Sequence, residues 1–229
     1  MACGKSRDIS SNKIALGRQP LAGLSCRDNR LRLSSCSHDV HVALKICYIH
    51  TMPKRDTDIL AQRIVEKLTR LRHTVATAES CTGGLLASRI TDISGALEVF
   101  HYGWVTYANE AKVSQLGVAP HLLERYGAVS VSVARAMAAG ARRIAGSDYA
   151  LALTGIAGPN GGTLHKPVGT VFIALATPKT IQTKKCFFPL ERREFKARAT
   201  DTALKMLAQE LGFRRLKALP KASPGQRPG

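Results

Sequence analysis

Residues 77–84, with the sequence TAESCTGG, decide the fold because they join two different hydrophobic patterns. The run before them, residues 74–78, is short and rich in β-branched residues, whereas an apolar-periodic segment begins at Leu85. We interpret this as a strand, a sharp turn and a helix. The helix start is expected to leave backbone N–H groups free beside the positive end of the helix dipole. Gly83 and Gly84 carry no Cβ, so a ligand can approach that backbone closely.

Ser80 stands at the mouth of this turn, and its hydroxyl has two alternative roles. A serine at a helix start commonly caps the first backbone N–H groups. The same hydroxyl can also attack a carbonyl carbon whose oxygen the neighbouring amides then hold. The spacing of the motif does not decide between a cap and a nucleophile.

The hydrophobic pattern on either side of the motif predicts an alternation of helices and strands. Helices are predicted at 59–72 with Asp58 as N-cap, and at 85–92, 109–117, 120–126, 131–145 and 191–211, and strands at 74–78, within 97–107, and at 148–154, 167–176 and 181–188. The last two strands are separated by four residues, which favours an antiparallel hairpin. The whole pattern predicts a single three-layer α/β/α domain with a mixed sheet.

Composition divides the chain into three parts. Residues 1–51 show no sustained period and contain eight Lys or Arg against three acids, so we interpret them as an irregular extension that need not be native. Residues 52–211 form the predicted domain. Residues 212–229 contain five Lys or Arg and no acid, and we predict a disordered tail.

The net charge of +18 is concentrated at the two ends, so it does not by itself indicate a nucleic-acid-binding domain. Basic residues do not alternate with aromatic ones as in single-strand binders, and we expect no nucleic-acid binding by the folded part. The six Cys match neither a CxxC nor a paired zinc site, which favours a reduced chain without disulfides. No apolar run approaches the ~20 residues of a membrane span. We therefore expect a cytoplasmic protein that does not enter a membrane.

Tyr107 and Lys112 flank the predicted start of the helix at 109–117. A lysine sheltered from water has a lowered pKa, and its neutral amine can take a proton from a serine hydroxyl, while a phenol nearby can relay one. Ser80, Tyr107 and Lys112 thus form a candidate Ser-Lys hydrolase set. The alternative is a solvated helix lysine beside a strand-end tyrosine.

Other catalytic arrangements have no support in the sequence. The seven His have no acid at a spacing typical of a Ser-His-Asp triad, and neither HExxH nor a paired-carboxylate metal motif occurs. We therefore predict no metal site and no cofactor. The loop at 155–162 holds four Gly in eight residues and follows a predicted strand, so it is expected to meet the Ser80 turn at the carboxyl edge of the sheet.

Five segments in order resemble one known family, the CinA C-terminal domain family. The resemblance covers about residues 58–211 and leaves out both ends of the chain. The matching segments are TAESCTGG at 77–84, VTYANEAK at 105–112, GAVS at 127–130, TGIAGP at 154–159 and KPVG at 166–169.

The resemblance implies hydrolysis of the carboxamide of nicotinamide mononucleotide, giving nicotinate mononucleotide and ammonia. It places the nucleophile at Ser80 and the proton-transfer pair at Tyr107 and Lys112. The implied oxyanion donors are the backbone amides of Cys81, Thr82 and Gly83. It also implies self-association into a homo-oligomer.

The resemblance further implies that Thr154, Gly155 and Gly158 accommodate ribose and phosphate, and that Arg192 pairs with the phosphate. The chain departs from the family pattern FPGDR, since Leu190 stands where the family has Gly. The alternative function is a non-catalytic nucleotide-binding module, because the family is associated with competence and DNA-damage responses.

Overall fold

The computed structural model describes residues 56–213. The predictions for residues 1–51 and for 214–229 lie outside the described residues, and the three-part division of the chain stays a prediction. At the end of the described part, Phe213 donates its N–H to the carbonyl of Ala208 and its ring lies 5.0 Å from the guanidinium carbon of Arg63.

The described chain alternates helices and strands as the hydrophobic pattern predicts. The helices are α1 Asp56–Leu71, α2 Leu85–Thr91, α3 Asn109–Leu116, α4 Pro120–Tyr126, α5 Val131–Ala145 and α6 Arg192–Glu210. The strands are β1 Val75–Glu79, β2 Gly103–Val105, β3 Tyr149–Gly155, β4 Thr170–Ala176 and β5 Ile181–Phe187. In this part of the chain no helix combines the length and apolar character needed to cross a membrane.

Within residues 56–213 the strands form one five-stranded mixed sheet in the order β2-β1-β3-β4-β5. β2, β1 and β3 run parallel, while β4 and β5 form an antiparallel hairpin beside them. Glu79 is in register with both Val105 and Leu153, so the three parallel strands end together. Consequently Ser80, Thr106 and the loop after β3 meet at one edge of the sheet.

Helices cover both faces of the sheet, which confirms the three-layer prediction. α1, α2 and α6 pack on one face against Leu151, Leu153 and other large apolar side chains. α3, α4 and α5 lie on the other face. There β1 and β3 present Ala76, Ala78, Ala150 and Ala152, whose small side chains let α5 approach the sheet closely.

α5 also makes a very close contact with α3 at a glycine. A Cβ atom built on Gly140 would lie 1.9 Å from the carbonyl oxygen of Leu116, the last residue of α3. Since real Cβ atoms do not approach so near, only glycine fits here without moving one helix. This contact fixes α3, which carries Lys112, against the buried α5.

Two local predictions are wrong. Asp58 is not an N-cap, because it lies inside α1, and its carboxylate pairs at 2.5 Å with the Arg89 guanidinium of α2. The apolar run at 97–107 is mostly not a strand: a 3-10 helix, Ala96–Glu98, precedes the three-residue β2. Val99 is fully buried in the core there, and its carbonyl accepts the N–H of Val75 at 2.8 Å, so the run follows the edge of β1 as an irregular segment.

Candidate active site

The side chains of Ser80 and Lys112 meet at the carboxyl edge of the sheet. Ser80 directly follows β1, and its N–H donates to the carbonyl of Leu153 at 3.0 Å, which ties the turn to β3. Lys112 lies in the first turns of α3, and its Nζ is 3.3 Å from the Ser80 Oγ. Ser80 is 9% exposed and Lys112 only 1%. The alternative of a solvated helix lysine is therefore wrong.

The Lys112 amine is held by its own chain segment. Nζ donates to the carbonyls of Thr106 at 2.8 Å, Tyr107 at 3.1 Å and Ala108 at 3.4 Å. That segment is attached to β1 through the Thr106 N–H, which donates to the Glu79 carbonyl at 2.8 Å. The separation of Lys112 from Ser80 is thus set by the pairing of neighbouring chain segments.

Burial lowers the pKa of Lys112, because the ammonium loses its hydration shell. The nearby Cys81 and Glu110 act in the opposite direction but do not cancel this effect. A lowered pKa increases the fraction of neutral amine near neutral pH. A neutral amine beside a hydroxyl is the requirement for a Ser-Lys nucleophile.

Cys81 is next to Ser80 but is not suited to be a nucleophile. Burial raises the pKa of its thiol to about 12, and the negative charge of Glu79 adds to this effect. The thiolate, which is the reactive form, is therefore scarce at neutral pH. Ser80 is the better candidate of the two.

Glu79 changes the prediction that the start of α2 is open to an anion. Its carboxylate, at 0% exposure, accepts hydrogen bonds from the N–H of Leu86 at 3.0 Å and of Ala87 at 2.8 Å. The helix start is thus capped by Glu79, and the N-cap position itself is Gly84. The capping role considered for Ser80 is wrong.

Two backbone N–H groups of the Ser80 turn, those of Cys81 and Thr82, are candidate donors to an oxyanion. Gly83 donates its N–H to the Ser80 carbonyl at 3.1 Å, so this predicted donor is already engaged. Between residues 56 and 213, the N–H groups of Cys81 and Thr82 donate to no backbone carbonyl. These two groups directly follow the candidate nucleophile in the chain and are candidate donors to an oxyanion formed there.

Tyr107 and Arg192 form a second group at the mouth of the site. One guanidinium nitrogen of Arg192 donates to the Tyr107 hydroxyl at 2.9 Å, and another donates to the Gly158 carbonyl at 2.8 Å. Tyr107 is 61% exposed, and its backbone carbonyl, not its hydroxyl, contacts Lys112. The structure therefore brings Ser80 and Lys112 together and places the phenol with Arg192.

Leu190 stands where the family pattern FPGDR has glycine. Its φ is not positive, so the turn before Arg192 does not need glycine.

The predicted nucleotide-binding residues of the loop after β3 also have structural roles. Thr154 is buried, and its hydroxyl donates to the Ala128 carbonyl at 2.8 Å. A Cβ on Gly155 would lie 2.8 Å from the Thr170 carbonyl oxygen. Gly158 has φ +74°, and a Cβ there would lie 2.5 Å from Val168. These glycines hold the loop tightly folded beside Arg192.

Sequence reasoning missed two charged residues, Glu79 and Lys196. Glu79 precedes Ser80 in the quoted motif, but only the folded turn shows which N–H groups it reaches. Lys196 follows Arg192 by four residues, which places both on one face of α6. A Cβ on Gly83 would lie 3.5 Å from the Lys196 Nζ, so the ammonium lies against the Ser80 turn. The i, i+4 spacing was the available signal.

Comparison with known proteins gives consistent matches. A family model described as the CinA C-terminal domain matches residues 57–211. A "CinA-like protein" of Geobacter sulfurreducens is 56% identical over 138 residues, which is 60% of this chain and 33% of that protein. A "Putative competence-damage inducible protein" of Thermoanaerobacter sp. is 44% identical over 156 residues, 68% of this chain and 38% of the relative. The chain thus spans little more than a third of the length of these relatives.

Solved structures match this chain over nearly their whole length. The competence/damage inducible protein CihA from Agrobacterium tumefaciens has a TM-score of 0.68 and 40% identity, over 71% of this chain and 99% of that one. A CinA superfamily protein from Escherichia coli has a TM-score of 0.65 and 36% identity, over 69% and 94%. The matched domain therefore makes up nearly the whole of each of these two solved chains.

Proposed function

The chain belongs to the CinA C-terminal domain family, and we propose that it hydrolyses the carboxamide of nicotinamide mononucleotide to nicotinate mononucleotide and ammonia. The observation that carries this proposal is the 3.3 Å contact between the buried Lys112 Nζ and the Ser80 Oγ. The substrate comes from the resemblance of the five sequence segments. The names of the matched relatives refer to competence and damage and give no substrate.

In the acylation step, the Ser80 Oγ attacks the carboxamide carbon while its proton passes to the neutral Lys112 amine. The oxygen of the tetrahedral intermediate takes the negative charge and is held by the N–H groups of Cys81 and Thr82. The protonated Lys112 then gives its proton to the amide nitrogen. The C–N bond breaks, and ammonia leaves an ester between Ser80 and the nicotinate carbonyl.

In the deacylation step, a water molecule attacks the ester carbon and gives a proton to Lys112. When the C–O bond to Ser80 breaks, Lys112 returns that proton to the Ser80 Oγ. The products are the free acid, which ionises, and the starting enzyme. The protonated amine donates to the carbonyls of residues 106–108. The neutral amine has two N–H groups, so it keeps two of these hydrogen bonds and has its lone pair left to accept the Ser80 proton.

The remaining predicted residues have binding roles in this proposal. Tyr107 was expected to take part in proton transfer, but its hydroxyl accepts from Arg192 and only its backbone carbonyl contacts Lys112, so we assign it to binding. Tyr107 and Arg192 lie at the mouth and contact the nucleotide, and Arg192 has further N–H groups beyond its two present hydrogen bonds. Thr154, Gly155 and Gly158 shape the loop against which the ribose lies. Self-association into a homo-oligomer is part of the proposal only through the family resemblance.

The direct test measures ammonia released from nicotinamide mononucleotide by the purified full chain. We expect Ser80→Ala and Lys112→Met each to reduce release by at least about a hundredfold. Ser88→Ala on α2 and Lys205→Met on α6 are matched controls, since both residues are exposed. Equal release from the parent and Ser80→Ala would contradict the mechanism. Nucleotide binding by calorimetry without any turnover would favour the alternative, a non-catalytic nucleotide-binding module.

A further inference from the structure

The N-terminus of α2 is closed to a substrate anion although it directly follows the Ser80 turn. The buried Glu79 carboxylate already accepts the N–H groups of Leu86 and Ala87. A second anion at this helix start would be repelled by Glu79 and would find those donors engaged. An anionic group on a substrate bound at Ser80 must therefore be held from another side.

The opposite side of the turn carries a half-buried cation, Lys196. Its Nζ lies 3.5 Å from the position of a Cβ on Gly83, and its charge acts on the thiol of Cys81. In the described chain, Lys196 makes no hydrogen bond or ion pair. A cation that faces a candidate site and has no partner within the protein is available to bind an anionic ligand.

Lys196 lies about one helical turn after Arg192 on α6. The Arg192 guanidinium reaches Gly158 and Tyr107, so the two cations flank the space between the loop after β3 and the Ser80 turn. Gly83 has a φ of +62°, which favours glycine, and its backbone lies in contact range of the Lys196 ammonium. The start of α6 carries Glu191 at the N-cap and Glu194 in the first turn, so the cationic character of this region comes from the side chains of Arg192 and Lys196.

We propose that Lys196 is a specificity-determining residue that binds the phosphoryl group of a phosphate-monoester substrate together with Arg192. The phosphoryl group then lies between α6 and the Ser80 turn, not at the start of α2. Naming a phosphate monoester rests on the proposed function, whereas the position of the anion site rests on Glu79, Gly83 and Lys196. The selection of a phosphorylated amide over its unphosphorylated form follows from this cation pair.

The test compares the binding of nicotinamide mononucleotide and nicotinamide riboside, which differ by the phosphoryl group. Calorimetry in a Ser80→Ala background separates binding from turnover. We expect Lys196→Met to weaken binding of the mononucleotide by about tenfold or more and to leave riboside binding within about twofold. Lys196→Arg should restore most of the affinity, and Lys205→Met is the matched control on the same helix. In the enzyme with Ser80 intact, the loss should appear in KM for the mononucleotide and not in kcat.

The possible results separate this inference from the proposed function. Equal weakening of both ligands, unchanged mononucleotide affinity in Lys196→Met, or no mononucleotide binding by the parent would overturn the role of Lys196. Selective weakening without ammonia release from the parent would support the anion site and contradict the hydrolase. Circular dichroism of each variant checks that the fold is retained.

Discussion

The Nζ of Lys112 and the Oγ of Ser80 lie 3.3 Å apart, although 32 residues separate them in the chain. Both are at the carboxyl edge of parallel strands, and burial lowers the pKa of the lysine. A lysine in solvent would stay protonated and could not accept a proton from the hydroxyl at neutral pH. The contact and the burial together make this pair a candidate catalytic unit.

The lowered pKa of Lys112 predicts the direction of the pH profile. We expect kcat/KM for amide hydrolysis to rise with pH as Lys112 loses its proton, with a midpoint below its ordinary value of 10.5. Rates measured from pH 5 to 10 check this. Lys112→Arg should be inactive at every pH, since guanidinium stays protonated. A kcat/KM that does not fall as the pH is lowered would argue against an amine base.

The same group predicts how stability depends on pH. Between the lowered pKa and 10.5 the folded chain holds Lys112 neutral, while the unfolded chain keeps the proton. The unfolded state binds more protons there, so the free energy of unfolding of the parent should rise with pH relative to Lys112→Met. Parallel denaturant titrations at several pH values measure the difference. A difference independent of pH would mean that the lysine keeps its charge on folding.

Cys81 should be dispensable for the chemistry. Burial raises the pKa of its thiol to about 12, so we expect Cys81→Ala to retain activity within about tenfold and iodoacetamide to modify Cys81 slowly in the folded protein. Ammonia release and mass spectrometry of the treated protein provide the two measurements. Rapid inactivation of the parent, but not of Cys81→Ala, would instead identify the thiol as a participating group.

Glu79 should stabilise the turn that carries Ser80. Glu79→Gln replaces one of two acceptor oxygens by an N–H donor facing the helix start, so we expect a loss of about 1–3 kcal/mol in the free energy of unfolding. The exposed Glu124→Gln on α4 is the control. Urea titration measures both variants. Equal stability of the two would show that the cap contributes little.

Gly140 should be required for the approach of α5 to α3. Gly140→Ala places a Cβ against the Leu116 carbonyl, and overpacking of this kind costs about 1–3 kcal/mol despite the better helix propensity of alanine. We also expect lower kcat, since α3 carries Lys112. Thermal unfolding and ammonia release check the two effects, with Ser132→Ala on the same helix as control. A more stable Gly140→Ala would mean that the helices separate easily.

The sequence was informative where periodicity and turn residues act locally. The hairpin of β4 and β5 and the long α5 and α6 lie where the patterns predict them. At 97–107 the pattern failed, because Val99 contributes to the core from an irregular segment and not from a strand. Asp58 failed as a cap because a distant partner, Arg89, binds its carboxylate instead.

The candidate site was predictable only in its residue types. The motif around Ser80 and the spacing of Tyr107 and Lys112 indicated chain segments that the structure brings together at the carboxyl edge of the sheet. Burial of Lys112 and occupation of the α2 start by Glu79 are results of tertiary packing, which no local spacing contains. The separation of the Tyr107 phenol from Lys112 likewise depends on the position of Arg192.

The three carbonyls that hold the Lys112 amine come from the residues just before its own helix, and one backbone bond from Thr106 to Glu79 attaches that segment to β1. The reacting atoms therefore depend on main-chain geometry more than on neighbouring side chains. Side chains of the surrounding loops can therefore be replaced without changing the distance between the Lys112 Nζ and the Ser80 Oγ, as long as this backbone pairing is kept. A serine and a lysine held together mainly by the main chain form a suitable framework for experiments in which the surrounding loops are exchanged.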